Sequence, residues 1–130
     1  MQTIEQTYFV KSSISEVWKA LTDASYINAW GGGPAKMDDK KGTKFSFWGG
    51  SIWGENKEVV SHKRLVQAWT SEEENKWENP STVSFTLSEK DGGVEIKLTH
   101  IDVPDENAKD IDDGWRSYYL GPLKKYIESK

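Results

Sequence analysis

The chain has 130 residues, the length of one compact domain, and carries a net charge of −4 without a block of basic residues. Hydrophobic residues make up 35% and charged residues 29%, which argues against membrane-embedded and disordered classes and disfavours binding to nucleic acid or to a membrane surface. The absence of cysteine excludes disulfide bonds and thiol chemistry.

The first elements have clear local signals. Residues 1–5 lack the basic start and apolar stretch of a signal peptide, which favours a cytoplasmic protein. Residues 3–10 alternate as a strand does. Ser13 and Glu16 have the spacing of a capping box, which predicts a short helix to about Asp23, and a further helical turn is expected over residues 25–30.

A glycine run, Gly31-Gly32-Gly33-Pro34, ends this helical region. It lacks the lysine and the serine or threonine of a phosphate-binding loop, so we interpret it as a connection. Five strands are then expected, because alternating segments are separated by turn signals such as Gly49-Gly50 and Asp91-Gly92-Gly93. Their predicted spans are residues 44–48, 52–60, 64–70, 82–88 and 94–100, with a charged loop over residues 72–79.

The last segment, residues 105–130, has apolar residues at helical spacing and is long enough to span a small domain. Acidic residues fill its first turns and Lys124 and Lys125 its last, which complements the helix dipole. Tyr118 is included in the expected buried stripe. Gly121-Pro122 predicts a kink or break near Gly121, which either only permits close packing or adjusts the mouth of a cavity.

Tight turns between successive strands imply an antiparallel sheet, whose apolar face must be buried against another element. The C-terminal helix is the one partner large enough. We therefore predict an α+β fold of order β-α-α-β-β-β-β-β-α, in which a curved six-stranded antiparallel sheet wraps around a long C-terminal helix, as one domain over residues 1–130.

Five segments, in order, resemble one known family. They are Glu16-Val17-Trp18 with Leu21-Thr22-Asp23, Gly42-Thr43-Lys44-Phe45-Ser46, residues 54–69, Leu98-Thr99-His100, and Gly114-Trp115-Arg116-Ser117-Tyr118-Tyr119-Leu120. The family is that of the heat-shock-protein-90 ATPase activator-like domains, in the START-like (SRPBCC) superfamily of helix-grip folds. Asn56 stands where relatives often carry valine, and Trp53 where they often carry a small residue.

The resemblance implies a helix-grip fold and points to two kinds of partner. The eukaryotic activators stimulate the ATPase of a chaperone protein, and this chain resembles their C-terminal domain. Elsewhere in the superfamily the cavity holds lipids, hormones or aromatic polyketides. An apolar small molecule and a chaperone are therefore the expected partners, and no cofactor is implied.

Alternation along the strands and helical spacing place aromatic side chains on the inner faces. This pattern predicts an aromatic cavity between the sheet and the C-terminal helix. Such apolar walls with few polar groups are usual for small-molecule sites. The candidate ligand-binding residues are Trp18, Phe45, Phe47, Trp53, Trp69, Phe85, His100, Trp115 and Tyr119. His100 and one tyrosine hydroxyl are expected to orient the ligand.

An enzyme is the less favoured class. Only His62 and His100 are histidines; His62 is expected in solvent, and His100 is either a hydrogen-bonded core residue, a ligand contact or a general base. With no cysteine and no second inward histidine, we expect no metal site and assign no catalytic residue. Glu55 and Glu58 are predicted on opposite faces of one strand, so that one of them points inward.

Three functions therefore stay open. The first is a non-enzymatic binding domain for an apolar or aromatic small molecule. The second is a protein-interaction domain that regulates a chaperone ATPase, which an exposed cluster of Trp30, Trp48 or Trp77 would favour. The third is a small-molecule cyclase or hydrolase that uses the same cavity.

Overall fold

In the computed structural model, which describes residues 1–71 and 80–130, the chain forms one antiparallel sheet and a set of helices. The predicted loop over residues 72–79, with Trp77, lies outside the described residues. The strands are β1 (Gln2–Val10), β2 (Lys44–Phe47), β3 (Ile52–Val60), β4 (Arg64–Ser71), β5 (Ser81–Lys90) and β6 (Gly93–Val103). The helices are α1 (Ile14–Thr22), α2 (Ala24–Trp30), α3 (Asp105–Gly114) and α4 (Leu120–Glu128).

The sheet has six strands in the order β1-β6-β5-β4-β3-β2, and every neighbouring pair is antiparallel. Consecutive strands from β2 to β6 are neighbours, whereas β1 pairs with β6 at the far edge. The inner face carries residues such as Leu65, Phe85 and Ile96, which join Leu123 and Ile127 of α4 in one hydrophobic core. The predicted α+β helix-grip fold is therefore confirmed.

The predicted N-cap of α1 is present. The Glu16 amide donates to the Ser13 hydroxyl at 3.2 Å, which satisfies one free amide of the first turn. The Glu16 carboxylate, which a capping box would place on the Ser13 amide, accepts a hydrogen bond from the Tyr26 hydroxyl at 2.6 Å. Asp23 ends α1 and also caps α2, since its carboxylate accepts from the Ser25 amide at 2.8 Å.

The C-terminal helix is interrupted where the sequence predicts an irregularity, but slightly earlier. A π-helical turn over Trp115–Tyr119 separates α3 from α4, and the Leu120 amide donates to the Trp115 carbonyl five residues before it. A proline ring crowds the carbonyl four residues upstream, here that of Tyr118, so a wider turn just before Pro122 relieves the crowding.

A bulge in β3 corrects the prediction for the two glutamates of this strand. The register with β4 shifts between Asn56 and Glu58, which places an extra residue in β3. Glu55 lies opposite Ala68 and Glu58 opposite Val66, and both carboxylates lie on the outer side of the sheet, with Glu58 paired to Arg64 at 3.3 Å. Neither glutamate points into the core.

Over residues 1–71 and 80–130, no helix combines the length and the apolar composition that a membrane crossing would need.

Candidate functional site

The aromatic side chains of the inner face meet around one ring, that of Tyr119. Tyr119 is the last residue of the π-helical turn and is 2% exposed. Its centroid lies 4.7–6.4 Å from the ring centroids of Trp30, Phe47, Trp48, Trp69, Phe85 and Trp115. These spacings are those of favourable aromatic pairs, so the cluster joins α2, the sheet and the C-terminal helix.

A cleft of about 490 Å³ opens beside this cluster. It lies between the start of β3, the end of β4 and the junction of α3 with the π-helical turn. Its volume falls within the range of ordinary small-molecule pockets, roughly 300–1,000 Å³. The lining residues are Trp48, Ser51, Ile52, Trp69, Ser71, His100, Asp110, Ile111, Gly114, Trp115, Tyr118 and Tyr119.

His100 is fully buried at the inner wall, and both of its ring nitrogens are engaged. The Trp115 indole can only donate, and its Nε1 lies 3.1 Å from His100 Nδ1, so Nδ1 is the acceptor. The proton of the neutral ring is therefore on Nε2, which donates to the Ser81 hydroxyl at 2.8 Å. Burial lowers the pKa of His100 to about 4, so the ring is neutral at pH 7.

Tyr119 contrasts with His100. Among the described residues its buried hydroxyl has no hydrogen-bond partner. Burial also raises the pKa of this phenol, so it stays protonated and can both donate and accept. The Tyr119 side chain, which lines the cleft, therefore carries a buried hydroxyl whose hydrogen-bonding capacity is unused among the described residues.

A chain of buried amides fixes the orientation of Trp69. The Trp69 indole donates to Gln67 Oε1 at 2.9 Å, and Gln67 Nε2 donates to Asn56 Oδ1 at 2.9 Å. Asn56 Nδ2 in turn donates to the carbonyls of Asp38 and Lys40 at 3.1 Å each. Asn56 therefore belongs to a network that connects the 38–40 loop to the cleft wall.

The structure divides the residues predicted from the sequence into several groups. Trp69, His100, Trp115 and Tyr119 line the cleft together. Phe45, Phe47 and Phe85 are buried in the core, at most 2% exposed, with Phe47 and Phe85 against the Tyr119 ring. These locations do not test ligand contact, which stays a prediction for each of them.

Two predicted lining residues lie elsewhere. Trp18 is buried in α1, where its ring centroid lies 6.0 Å from that of His62, a half-buried side chain rather than a solvated one. Trp53 is 36% exposed on the outer face of the sheet. The reason is that Gly54 takes the inward position, where a Cβ would lie 1.8 Å from the Ala68 carbonyl oxygen and 2.8 Å from the Phe45 ring.

Two further aromatic residues differ from expectation. Tyr118 was expected in the buried stripe but is 70% exposed, at the rim of the cleft, because the π-helical turn directs Trp115 and Tyr119 inward instead. Trp30 was considered for an exposed cluster but is 5% exposed, and its indole donates to the Ala20 carbonyl at 2.9 Å. Trp48 is partly exposed, and its indole donates to the Gly31 carbonyl at 2.8 Å.

Sequence reasoning missed most of the cleft rim. The missed residues are Ser51, Ile52, Ser71, Asp110, Ile111 and Gly114, and Trp48 was considered only as part of an exposed surface. Two of them, Ile111 and Gly114, could have been identified from the sequence, because they shortly precede Trp115 in the same predicted helix. In the described part of the chain, no group of three or more histidine, aspartate or glutamate side chains is arranged to hold a metal ion.

Comparison with known proteins gives one family. The model of the "Activator of Hsp90 ATPase homolog 1-like protein" family matches residues 11–128. The human "Activator of 90 kDa heat shock protein ATPase homolog 1" is 24% identical over 125 residues, which cover 95% of this chain and 36% of that protein. The chain thus spans about a third of the length of this relative.

Solved structures extend the comparison. The crystal structure of an HSP90 activator from Plasmodium falciparum superposes with a TM-score of 0.86 at 27% identity, covering 98% of this chain and 96% of that one. CalU16 from Micromonospora echinospora superposes with a TM-score of 0.77 at 28% identity, covering 96% of this chain and 72% of that one.

Proposed function

Because this chain belongs to the family of activator of Hsp90 ATPase homolog 1-like proteins, we propose a binding function rather than a catalytic one. It holds an apolar or aromatic small molecule in the cleft between the sheet and the C-terminal helix. Trp48, Trp69, Trp115 and Tyr119 provide the apolar walls.

The observation that carries this proposal is the unpaired hydroxyl of Tyr119. A buried polar group without a partner costs about 1–3 kcal/mol. A ligand with one polar atom beside its apolar body would remove that cost and would be oriented by the same contact, once the side chains that cover the hydroxyl move aside. Both nitrogens of His100 are already engaged, so this ring is not free to act as the base of a cyclase or hydrolase.

Gly114 offers a direct test, because it lines the cleft and has space around it. A Cβ built there meets only Tyr118 Cδ2, at 4.0 Å, and the backbone is helical. Gly114→Leu should fill the cleft while stabilising the helix by roughly 0.5–1 kcal/mol. Gly114→Ala should give a similar stabilisation and leave the cleft open.

Native mass spectrometry of the protein purified from its own host, with the two variants beside it, is the measurement. We expect the wild type and Gly114→Ala to retain a molecule that organic extraction removes, and Gly114→Leu to lack it. A wild-type protein with no added mass and no saturable binding of the neutral aromatic probe N-phenyl-1-naphthylamine would overturn the proposal.

Regulation of a chaperone ATPase is the second candidate function. It is favoured by a specific comparison, since the Plasmodium falciparum HSP90 activator matches this chain over nearly its whole length. The chain would then bind the Hsp90-type chaperone of its own organism. The test is the steady-state ATPase rate of that chaperone as this protein is added: a saturable increase is expected, and an unchanged rate with no co-purification would contradict it.

A further inference from the structure

The described residues that line the cleft carry a negative formal charge and no positive one. Among the described residues that line it, Asp110 is the one that carries a formal charge at pH 7, and none is a lysine or arginine. His100 contributes no positive charge, because burial lowers its pKa to about 4. The part of the cleft wall that residues 1–71 and 80–130 form is therefore acidic, in a chain whose net charge is −4.

Asp110 differs from the other aspartates near it. Asp112 pairs with Arg116 at 2.8 Å, and Asp113 pairs with the same guanidinium at 3.5 Å. Within residues 1–71 and 80–130, no cation pairs with Asp110. Its carboxylate is thus left to face a ligand, while Arg116 is held by its neighbours.

The walls beside this carboxylate are aromatic. Trp48, Trp69, Trp115 and Tyr118 all line the cleft, and the Trp69 and Trp115 ring centroids lie 4.8 Å apart. The face of an aromatic ring carries negative charge density and attracts an organic cation, by roughly 0.5–2 kcal/mol per contact. Aromatic walls and one free carboxylate together favour a positive group that is weakly hydrated.

We propose that the ligand of this cleft carries an organic ammonium group on an apolar or aromatic body. The inference rests on the proposed small-molecule function and assigns the charge of its ligand. A ligand with a carboxylate or sulfonate would meet Asp110 and the negative ring faces without a compensating cation from the described lining residues, so the cleft discriminates against it.

Three probes of similar shape separate charge from apolar contact. Benzyltrimethylammonium is the cation, neopentylbenzene is its neutral carbon isostere, and phenylmethanesulfonate is the anion. Calorimetric titration of the wild type should give the tightest binding for the cation, weaker binding for the neutral isostere and the weakest for the anion. The preference should shrink at high salt, since Asp110 is exposed and its carboxylate is screened.

The matched variants are Asp110→Asn and Asp113→Asn. Both remove one negative charge from α3, but Asp110 lines the cleft and Asp113 does not. Asp110→Asn should weaken binding of the cation about fivefold and leave the neutral isostere unchanged, whereas Asp113→Asn should change neither. Equal binding of the cation and its isostere by the wild type would overturn the charge assignment and leave the proposed function standing. Failure of all three probes to bind would overturn both.

Discussion

His100 and Tyr119 lie in the same aromatic cluster but differ in how their polar atoms are satisfied. Both nitrogens of His100 are hydrogen-bonded, whereas the Tyr119 hydroxyl has no partner among the described residues. Since an unpaired buried donor costs free energy and a paired one does not, the two residues contribute differently to stability and to binding.

Removal of the Tyr119 hydroxyl should therefore stabilise the ligand-free protein. Tyr119→Phe deletes an unpaired group and should raise the free energy of unfolding by about 1 kcal/mol. Tyr8→Phe is the control, because the Tyr8 hydroxyl donates to Gln6 Oε1 at 2.5 Å and its loss should cost about 1 kcal/mol. Urea denaturation measures both, and equal destabilisation by the two variants would contradict the prediction.

The buried neutral state of His100 makes stability depend on pH. Its pKa is about 4 in the folded protein and about 6.5 when unfolded, so the unfolded chain takes up a proton first as the pH falls. The free energy of unfolding should be highest above pH 6.5 and should fall between pH 6.5 and 4, by about 3 kcal/mol from this residue. Denaturation curves across this window test it, and a His100→Gln variant with an equally steep decline would exclude His100 as the cause.

At the scale of elements, the π-helical turn decides which aromatic rings face the sheet. It directs Trp115 and Tyr119 inward and leaves Tyr118 at the rim. The turn requires glycine at position 121, because a Cβ there would lie 2.0 Å from the Arg116 carbonyl oxygen. Gly114 lies on the same helical segment without such a constraint.

The same substitution at these two glycines should have opposite effects. Gly121→Ala should lower the free energy of unfolding by about 2 kcal/mol or more, because a backbone carbonyl must move. Gly114→Ala should raise it by roughly 0.5–1 kcal/mol through helix propensity. Chemical denaturation of the pair measures the difference, and a Gly121→Ala variant as stable as Gly114→Ala would show that the turn does not depend on glycine.

At the scale of the whole molecule, the C-terminal segment closes the edge of the sheet at β1. The Glu128 carboxylate accepts from the Lys11 amide at 2.9 Å, and the Lys124 ammonium donates to the Phe9 carbonyl. Gln6 Nε2 donates to the carbonyl and the carboxylate of Asp112, at 2.9 and 2.8 Å. The bond to the Phe9 carbonyl satisfies one backbone group of β1, an edge strand whose outward backbone groups the sheet leaves unpaired.

The two halves of that segment are attached unequally. α4 contributes Leu120, Leu123 and Ile127 to the core, whereas α3 has no buried residue and borders the cleft. Backbone amides of α3 should therefore exchange with solvent on the order of 10- to 100-fold faster than those of α4. Hydrogen-exchange mass spectrometry of peptides from residues 105–114 and 120–128 measures this, and equal protection would contradict the prediction.

Patterns that depend on near neighbours along the chain were predictable. Ser13 caps α1, and the alternation of Val94, Ile96, Leu98 and His100 correctly placed one face of β6 in the core. The period of side chains along a strand or helix is a local property, so these predictions needed no knowledge of what packs against them. The helix-grip order followed from the same local signals together with turn residues.

Positions that depend on contacts distant in sequence were not predictable in this way. Trp53 lies outside because Gly54 takes the inward position against the Ala68 carbonyl and the Phe45 ring, and Glu55 and Glu58 share the outer side because of a bulge. The amide network through Asn56 and the cleft between β3, β4 and α3 arise only when separate segments meet. Alternation along the chain identified the elements, but a bulge or a widened helical turn shifts that alternation, and only tertiary packing decides where such shifts occur.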